Sequence, residues 1–233
     1  PYRIMRNADL PIDEDEAEDL LVEIQKQLKK RQWGEAIRLE IESNVDKRLL
    51  KILKKELSIS SQGDITNAST LQGNGITLTA AGMLTNNGQL SAGSGTMTLS
   101  GSQIAMNASG SLQASGDVSL ASRGNITLDG FTGTAGSLAL TAAGSIVNTA
   151  LLYAGNNLSL FANSIQNLRG DMLAGNNLVM QKDGSGAANA EVINTSGNIE
   201  TTNGDITIKT GHLLNTRDGL TTKTTQIDGA QSI

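Results

Sequence analysis

Residues 137–160 read SLALTAAGSIVNTALLYAGNNLSL, and this stretch contains every element of a motif that recurs along most of the chain. It begins with two leucines one residue apart, Leu138 and Leu140, and continues with an apolar residue two positions before Asn148. The leucine pair returns at Leu158, 20 residues after Leu138. Repetition at a fixed spacing of this size is typical of a solenoid, in which each repeat packs only on its neighbours.

The apolar pair is the clearest marker of the repeat. It starts at Ile76, Met97, Val118, Leu138, Leu158, Leu178 and Ile206, in steps of 21, 21, 20, 20, 20 and 28 residues. The long last step predicts a loop insertion at residues 182–190, KDGSGAANA. Lys182 and Asp183 head this insertion and are the predicted contact residues of a protruding loop.

An apolar residue two positions before an asparagine is the second marker. The asparagines are Asn67, Asn86, Asn148, Asn167, Asn194 and Asn215. When coils stack in register, asparagines at one repeat position can hydrogen-bond through their side-chain amides from coil to coil. The sequence therefore predicts a structural asparagine ladder.

A third apolar residue follows each asparagine marker after a few positions, and turn-forming Gly and Asn separate the three apolar blocks. Leu71, Leu90, Leu152, Ile199 and Leu220 are the members of this third set. Three short strands per repeat predict a mainly β fold, a parallel β-helix of about eight coils and on the order of 40 Å in length at the interstrand spacing. A helical solenoid is excluded because Gly and β-branched Thr are poor helix formers.

The first sixty residues have a different composition. They carry 12 of the 18 Lys and Arg residues and 13 of the 23 Asp and Glu residues, but only one glycine, Gly34. Alternating apolar residues predict strands near Tyr2 and at residues 35–43, and capping and helical spacing predict helices at residues 13–33 and 46–57. We therefore divide the chain into a small β-α-β-α unit (1–57), a junction (58–62) and the β-helix (63–233).

The β-α-β-α unit resembles an internal segment of bacterial polyphosphate kinase. The resemblance rests on RNADLPIDEDEAEDLL (6–21), WGEAIRLEIE (33–42) and DKRLLKILKKEL (46–57). The family's phosphorylated histidine and nucleotide site lie in other parts of a longer chain, and the one histidine here, His212, is outside the segment. The resemblance thus implies a piece of fold and no enzyme activity.

The repeats resemble those of filamentous haemagglutinin-type exoproteins secreted by the two-partner route. GITLTAAGMLTNNGQLSAG (75–93) and residues 137–160 carry this resemblance, and SGNIETTNGDITIKTGHLLNTRDGL (196–220) is similar to repeats of CdiA-type contact-dependent growth inhibition proteins. The resemblance covers residues 61–222. It implies a right-handed coil and a shaft segment of a secreted cell-surface filament, used for adhesion or to display receptor-binding and toxin regions located elsewhere. The implied partners of the full-length parent are an outer-membrane two-partner-secretion transporter and a target-cell receptor.

Composition argues against several other classes of function. The net charge of −5 gives no basic patch for a phosphate backbone, so no nucleic-acid partner is expected. The chain has no cysteine, and no pattern predicts a metal, a cofactor or a small-molecule substrate.

A carbohydrate-active β-helix enzyme, a polysaccharide lyase or hydrolase, remains the alternative. The residues available for such a site do not share one repeat position, which favours the structural interpretation. They are Asp117, Asp129, Asp171, Glu191, Glu200, Asp205, Arg123, Arg169 and Lys209.

The two halves have no recognised common family, and the chain begins at Pro1, so the sequence suggests a piece of a longer protein and a fusion of two parents. A cut solenoid exposes unpaired backbone groups and the end of its apolar column, and such an edge favours association. We therefore expect residues 1–57 to act as an N-terminal cap or as a fusion partner.

Overall fold

A computed structural model describes residues 2–6, 36–41 and 57–219, and the chain divides into two compact units, Pro1–Lys54 and Lys55–Ile233. In the first unit, strands β1 (Tyr2–Arg6) and β2 (Ala36–Ile41) pair antiparallel, with Tyr2 opposite Ile41. Both strands were predicted from their alternating apolar residues. The predicted helix at residues 13–33 lies outside the described residues, as does the helix predicted at 46–57 except for Leu57.

The second unit is a succession of short strands. In the first four coils these are β3 (Leu57–Ser61), β4 (Ile65–Asn67), β5 (Thr70–Gly73), β6 (Ile76–Ala80), β7 (Leu84–Asn86), β8 (Gln89–Ala92), β9 (Met97–Gly101), β10 (Ile104–Met106), β11 (Ser111–Ala114), β12 (Val118–Ser122), β13 (Ile126–Leu128) and β14 (Phe131–Thr134). The later coils contain β15 (Leu138–Ala142), β16 (Ser145–Asn148), β17 (Leu151–Ala154), β18 (Leu158–Phe161), β19 (Ser164–Leu168), β20 (Asp171–Ala174), β21 (Leu178–Gln181), β22 (Asn189–Thr195), β23 (Asn198–Thr201), β24 (Ile206–Ile208) and β25 (Thr210–Thr216).

Every third strand belongs to the same parallel sheet. Sheet I is 8-stranded and runs from β3 to β24, sheet II is 8-stranded and runs from β4 to β25, and sheet III is 7-stranded and runs from β5 to β23. Each strand pairs in register with its counterpart one coil away, as Leu138 does with Val118 and Leu158. The predicted fold, a parallel β-helix of about eight coils, is confirmed.

The solenoid begins earlier than the sequence indicated. Leu57–Ser61 is strand β3, and it pairs with β6 so that Leu57 lies beside Ile76 and Ile59 beside Leu78. The sequence placed Leu57 at the end of a helix and residues 58–62 in a junction before a first coil at Gly63. The difference arises because the helical apolar spacing of residues 46–57 runs directly into a Leu-Ser-Ile pair with strand spacing.

The core is a column of apolar side chains enclosed by the three sheets. In each strand of sheet I the first and third residues point inward, and those from Ile76 to Met180 are nearly or fully buried. Sheet III contributes two inward columns. The larger side chains are Leu71, Leu90, Leu112, Thr132, Leu152, Met172 and Ile199, and the small residues two positions later in each strand, from Gly73 to Thr201, form the second column. Because each coil supplies only a few of these side chains, their burial depends on stacking.

Glycine is required where the chain turns between sheets II and III. A Cβ at Gly88 would overlap the backbone of Ser69 in the preceding coil, and one at Gly110 would overlap the carbonyl oxygen of Asn86. These turns stack with almost no space between their backbones. By contrast, the inserted loop is open at Gly184, where a Cβ would meet no atom within 4 Å.

Candidate functional site

The predicted ladder asparagines lie in sheet II, at the inward-facing third position of the apolar-x-Asn marker. Asn148 Nδ2 donates to Asn167 Oδ1 at 2.9 Å. In the same way Asn167 donates to Asn194, and Asn194 to Asn215, each at 2.9 Å. Asn67 donates to Asn86 at 2.8 Å. The same amides also donate to backbone carbonyls at the start of the next sheet III strand, so the bonds link coils and brace a turn.

The column of asparagines is interrupted in its middle. Met106 and Leu128 occupy the same register position between Asn86 and Asn148, and both are fully buried. The result is a pair of asparagines near the beginning of the solenoid and a series of four near its end. In the two intervening coils apolar packing replaces the hydrogen bonds.

A second set of polar side chains ties the turns of neighbouring coils together. Asp117 Oδ1 accepts a hydrogen bond from the backbone N–H of Ser137 at 2.8 Å, and Asn125 Oδ1 accepts one from Ser145 at 2.9 Å. Asn177 Oδ1 accepts from the N–H of Asp205 at 2.9 Å. These bonds satisfy donors that the strand pairing leaves free, and they stabilise the coil-to-coil register.

The inserted loop between β21 and β22 closes on itself through Asp183. Its Oδ1 atom accepts from the Ser185 hydroxyl at 2.5 Å and from the Ser185 N–H at 2.9 Å. These bonds lower the pKa of Asp183, with a smaller contribution from the positive charge of Lys182. Lys182 is exposed, and Gly186 has a positive φ of 87°, which closes the turn.

The acidic residues considered for catalysis are dispersed, and several have structural partners. Asp129 accepts a hydrogen bond from Thr149, Asp171 accepts one from Asn198, and Glu191 accepts one from Ser164. Within the described residues, no group of three or more His, Asp or Glu side chains is placed to hold a metal ion. His212 is exposed in β25, in register with Glu191.

The described solenoid ends in an open concavity. It has a volume of about 720 Å³ and is lined by side chains of β22 to β25, including Ile199, Ile208 and Leu213. Ile206 is 44% exposed and Leu213 53% exposed, because in the part of the chain that the structure describes no further coil packs on them. No helix among the described residues has the length and apolarity of a membrane span.

Two family models match the chain. The haemagglutinin repeat matches residues 43–104 and 92–130, which include the in-register coils from β3 to β13. This match covers the first part of the solenoid, up to β13. The polyphosphate kinase middle domain matches residues 1–73, so its match extends into the first coil of the solenoid. Both resemblances predicted from the sequence are confirmed.

The curated relatives fall into two groups, CdiA proteins and a polyphosphate kinase. The chain is 74% identical over 187 residues to the tRNA nuclease CdiA of Escherichia coli strain STEC_O31 and 55% identical over 179 residues to that of E. coli O6:K15:H31. Each match covers 77% of this chain and 6% of the relative. The polyphosphate kinase of Halalkalibacterium halodurans is 57% identical over 60 residues, which are 25% of this chain and 8% of that protein.

The chain therefore spans only a small fraction of the curated relatives that it matches. The solenoid matches one segment of proteins whose names refer to nuclease or toxin activity. No solved structure matches the chain.

Proposed function

We propose that the solenoid is a shaft segment of a secreted bacterial surface filament of the CdiA type. The observation that carries the proposal is the continuous in-register stack of haemagglutinin-repeat coils, together with the high identity to CdiA relatives. A stack of this kind extends along one axis as coils are added, at about 4.8 Å per coil. Length and stiffness, more than a localised reactive site, are the properties that it provides.

The coil-to-coil bonds support a structural role. The asparagine amides of sheet II hydrogen-bond to neighbouring coils. The Asp and Asn side chains in the turns do the same. Side chains committed in this way are unavailable for substrate. They favour a function in which the solenoid resists bending and loss of register.

The partners proposed for the full-length parent follow from the same family. A two-partner-secretion transporter in the outer membrane would export the filament, and a target-cell receptor would bind a region outside this segment. The nuclease and toxin activities in the names of the relatives are proposed to lie outside it too, because it matches only 6% of their length. The proposed location is the bacterial surface.

A segment exchange tests the shaft function. Residues 57–219 replace the matching segment of the E. coli STEC_O31 relative, and surface display and inhibition of target cells are measured. We expect both to be retained, because a shaft requires its coils and their register and not particular outward side chains. Export with loss of inhibition would show that the segment carries an element specific to the relative, and would overturn a purely structural role.

The inserted loop is proposed as a contact of the shaft, since Lys182 is exposed at its start and its Asp183 turn holds it in one conformation. Replacing residues 183–187 by the shorter turn of another coil tests this role. Cell or receptor binding should weaken while the solenoid remains folded. Unchanged binding would eliminate the loop as a contact.

The alternative, a carbohydrate-active enzyme, finds little support in the described surface. Hydrolysis by paired carboxylates requires two carboxyl groups on either side of a bound sugar, within a cleft that encloses the sugar and admits the reacting water. Asp171 and Glu200 lie on adjacent strands of sheet III, but on its open outer face, and Glu200 is exposed. Turnover of a polysaccharide that Glu200→Gln abolishes would restore the enzyme hypothesis.

A further inference from the structure

The outer face of sheet III changes character along the solenoid. Each strand presents two outward side chains, and at the beginning of the solenoid these are polar: Gln89 and Ser91 in β8, Ser111 and Gln113 in β11. In β14, β17 and β20 the same positions become largely apolar. We call these residues the aromatic patch: Phe131, Leu151, Tyr153 and Leu173.

The members of the aromatic patch are close neighbours on one surface. Tyr153 lies beside Leu173 in the next coil, and Leu151 shares its strand with Tyr153 two residues away, on the same face. Tyr153 is 39% exposed and Leu151 36% exposed, while Phe131 and Leu173 are half-buried. The patch is thus a contiguous apolar area on an otherwise polar face.

The fold does not require these apolar side chains. Polar Gln and Ser occupy the equivalent outward positions in β8 and β11 without loss of register. The ring of Phe131 packs against Gly133, where an added Cβ would meet it at 2.6 Å. The ring lies over the glycine, where no side chain competes for the space. Apolar side chains that the fold does not need, held on an open surface, are typical of a recognition site.

The charged outward residues of sheet III beside the aromatic patch have one sign, and Arg169, in the turn before Asp171, is paired with Asp218. Asp171 lies directly beside Leu151, and Glu200 directly beside Leu173, in the following coils. None of the outward residues in the described strands of sheet III is Lys or Arg. A partner with positive charge therefore complements this surface, and one with negative charge is repelled.

We propose that the aromatic patch binds a polypeptide segment in which Lys or Arg alternates with apolar side chains. The apolar side chains of the segment would cover Leu151 and Leu173, and its cationic groups would reach Asp171 and Glu200. A guanidinium over the face of Tyr153 would add a cation–π contact. The aliphatic stem of Lys or Arg can pack on leucine while its charged end reaches a carboxylate.

The size of the surface favours a peptide over a second copy of this chain. From β14 to β23 the surface spans three coil steps, about 14 Å, and its two outward columns lie about 7 Å apart along the strand. A stable protein interface buries about 800 Å² on each partner. An area that accommodates a few side chains fits a short segment, and the two leucines fit an apolar chain better than a sugar.

The test uses the full chain and capped peptides. The probes alternate leucine with arginine, leucine with glutamate, or serine with arginine, and binding is followed by calorimetry and by amide shifts in sheet III. We expect only the leucine–arginine peptide to bind, with shifts centred on Tyr153. Equal binding of the leucine–glutamate peptide, or shifts confined to the terminal strands β24 and β25, would overturn the proposal.

Two variants make the test specific. The double change Leu151→Gln and Tyr153→Ser copies the outward residues of β8 and should weaken binding about tenfold. Glu200→Gln should weaken it about threefold and reduce its salt dependence. Ser111→Ala with Gln113→Ala, at the same register in β11, is the control and should change nothing. Equal affinity of the double variant and the parent chain overturns the proposal.

The same chain and its variants also test two other ligands of the aromatic patch, a second copy of the chain and a sugar. Concentration-dependent dimerisation abolished by the double change would assign the surface to a second copy, and binding of a neutral oligosaccharide in place of the peptide would assign it to a sugar. Either result overturns the proposal. The shaft function does not depend on the outcome, since the segment exchange measures display and inhibition independently of peptide binding.

Discussion

Leu128 and Asn148 occupy the same inward position in neighbouring strands of sheet II, and the Oδ1 atom of Asn148 is buried without a hydrogen-bond partner among the described residues. In the following coils each Asn Oδ1 accepts from the amide of the preceding Asn. The series of four asparagines therefore begins at Asn148, with an acceptor that the side chain of Leu128 cannot satisfy. An unsatisfied buried acceptor costs about 1–3 kcal/mol.

Leu128→Asn should be tolerated better than the same change elsewhere in the core. The new amide can donate to Asn148 Oδ1, and this hydrogen bond offsets part of the lost apolar burial. Leu120→Asn, flanked by Leu99 and Leu140, gains no such partner. We expect Leu120→Asn to be the more destabilising by about 2 kcal/mol, measured by urea denaturation. Equal losses would show that the new amide forms no stabilising hydrogen bond with Asn148 Oδ1.

The turns between sheets II and III should reject any side chain. Gly88→Ala places a methyl group into the backbone of Ser69, so the coils must separate locally, and we expect a loss of about 2 kcal/mol or more in the free energy of unfolding. Gly184→Ala, in the open part of the inserted loop, is the control and should stay within about 0.5 kcal/mol of the parent. Thermal unfolding of the two variants measures the difference.

The inserted loop should be sensitive to acid. Because the folded-state pKa of Asp183 lies below its ordinary value of 3.8, the carboxylate contributes to loop order above pH 3.8. This contribution is lost as the pH falls through the lowered pKa. Hydrogen exchange at the Ser185 amide should therefore accelerate, relative to its intrinsic rate, on acidification below pH 3.8.

Ser185→Ala removes the hydroxyl that makes the largest contribution to this shift and should return the pKa of Asp183 towards 3.8. Lys182→Gln removes the smallest contribution and is the matched control. Carboxyl titration by NMR measures both. A pKa that stays in place in Ser185→Ala would contradict the assignment of its cause.

Removal of residues 1–56 tests the proposed cap and follows the boundary found in the structure. The truncated chain retains β3, and we expect it to keep its β content by circular dichroism. Its first strands would then carry the free edge of three sheets beside the half-buried Leu57 and Ile59, so it should self-associate with increasing concentration. A monodisperse truncated chain in sedimentation would contradict a capping role.

Much of the architecture could be predicted from the sequence because the repeat fixes register. Once Leu138 and Leu158 are recognised as equivalent, the pairing of every intervening residue in the coil follows, as observed. The inward column of larger side chains in sheet III was harder to recognise, since Leu112, Thr132 and Met172 share no common residue type. Thr132 is fully buried, with its hydroxyl donating to the carbonyl of Gly130.

The surface features could not be predicted in the same way. The aromatic patch requires knowledge of which residue of each strand points outward and of which strands are adjacent, and no repeated residue marks it. The first strand of the solenoid was missed because Leu57 satisfies two patterns, the end of an apolar helical face and the start of a strand pair. The signal that could have identified it is Leu57-Ser58-Ile59, which lies 19 residues before the pair at Ile76.

In the three parallel sheets the hydrogen bonds run along the axis of the solenoid, from coil to coil. A force that pulls the two ends apart therefore breaks the hydrogen bonds of one coil at a time, starting from an end. Each coil adds only about 4.8 Å to the stacked length but holds about 20 residues, which extend to about 70 Å. Under tension such a solenoid could lengthen more than tenfold without breaking a covalent bond, and regain its height coil by coil when the tension is released.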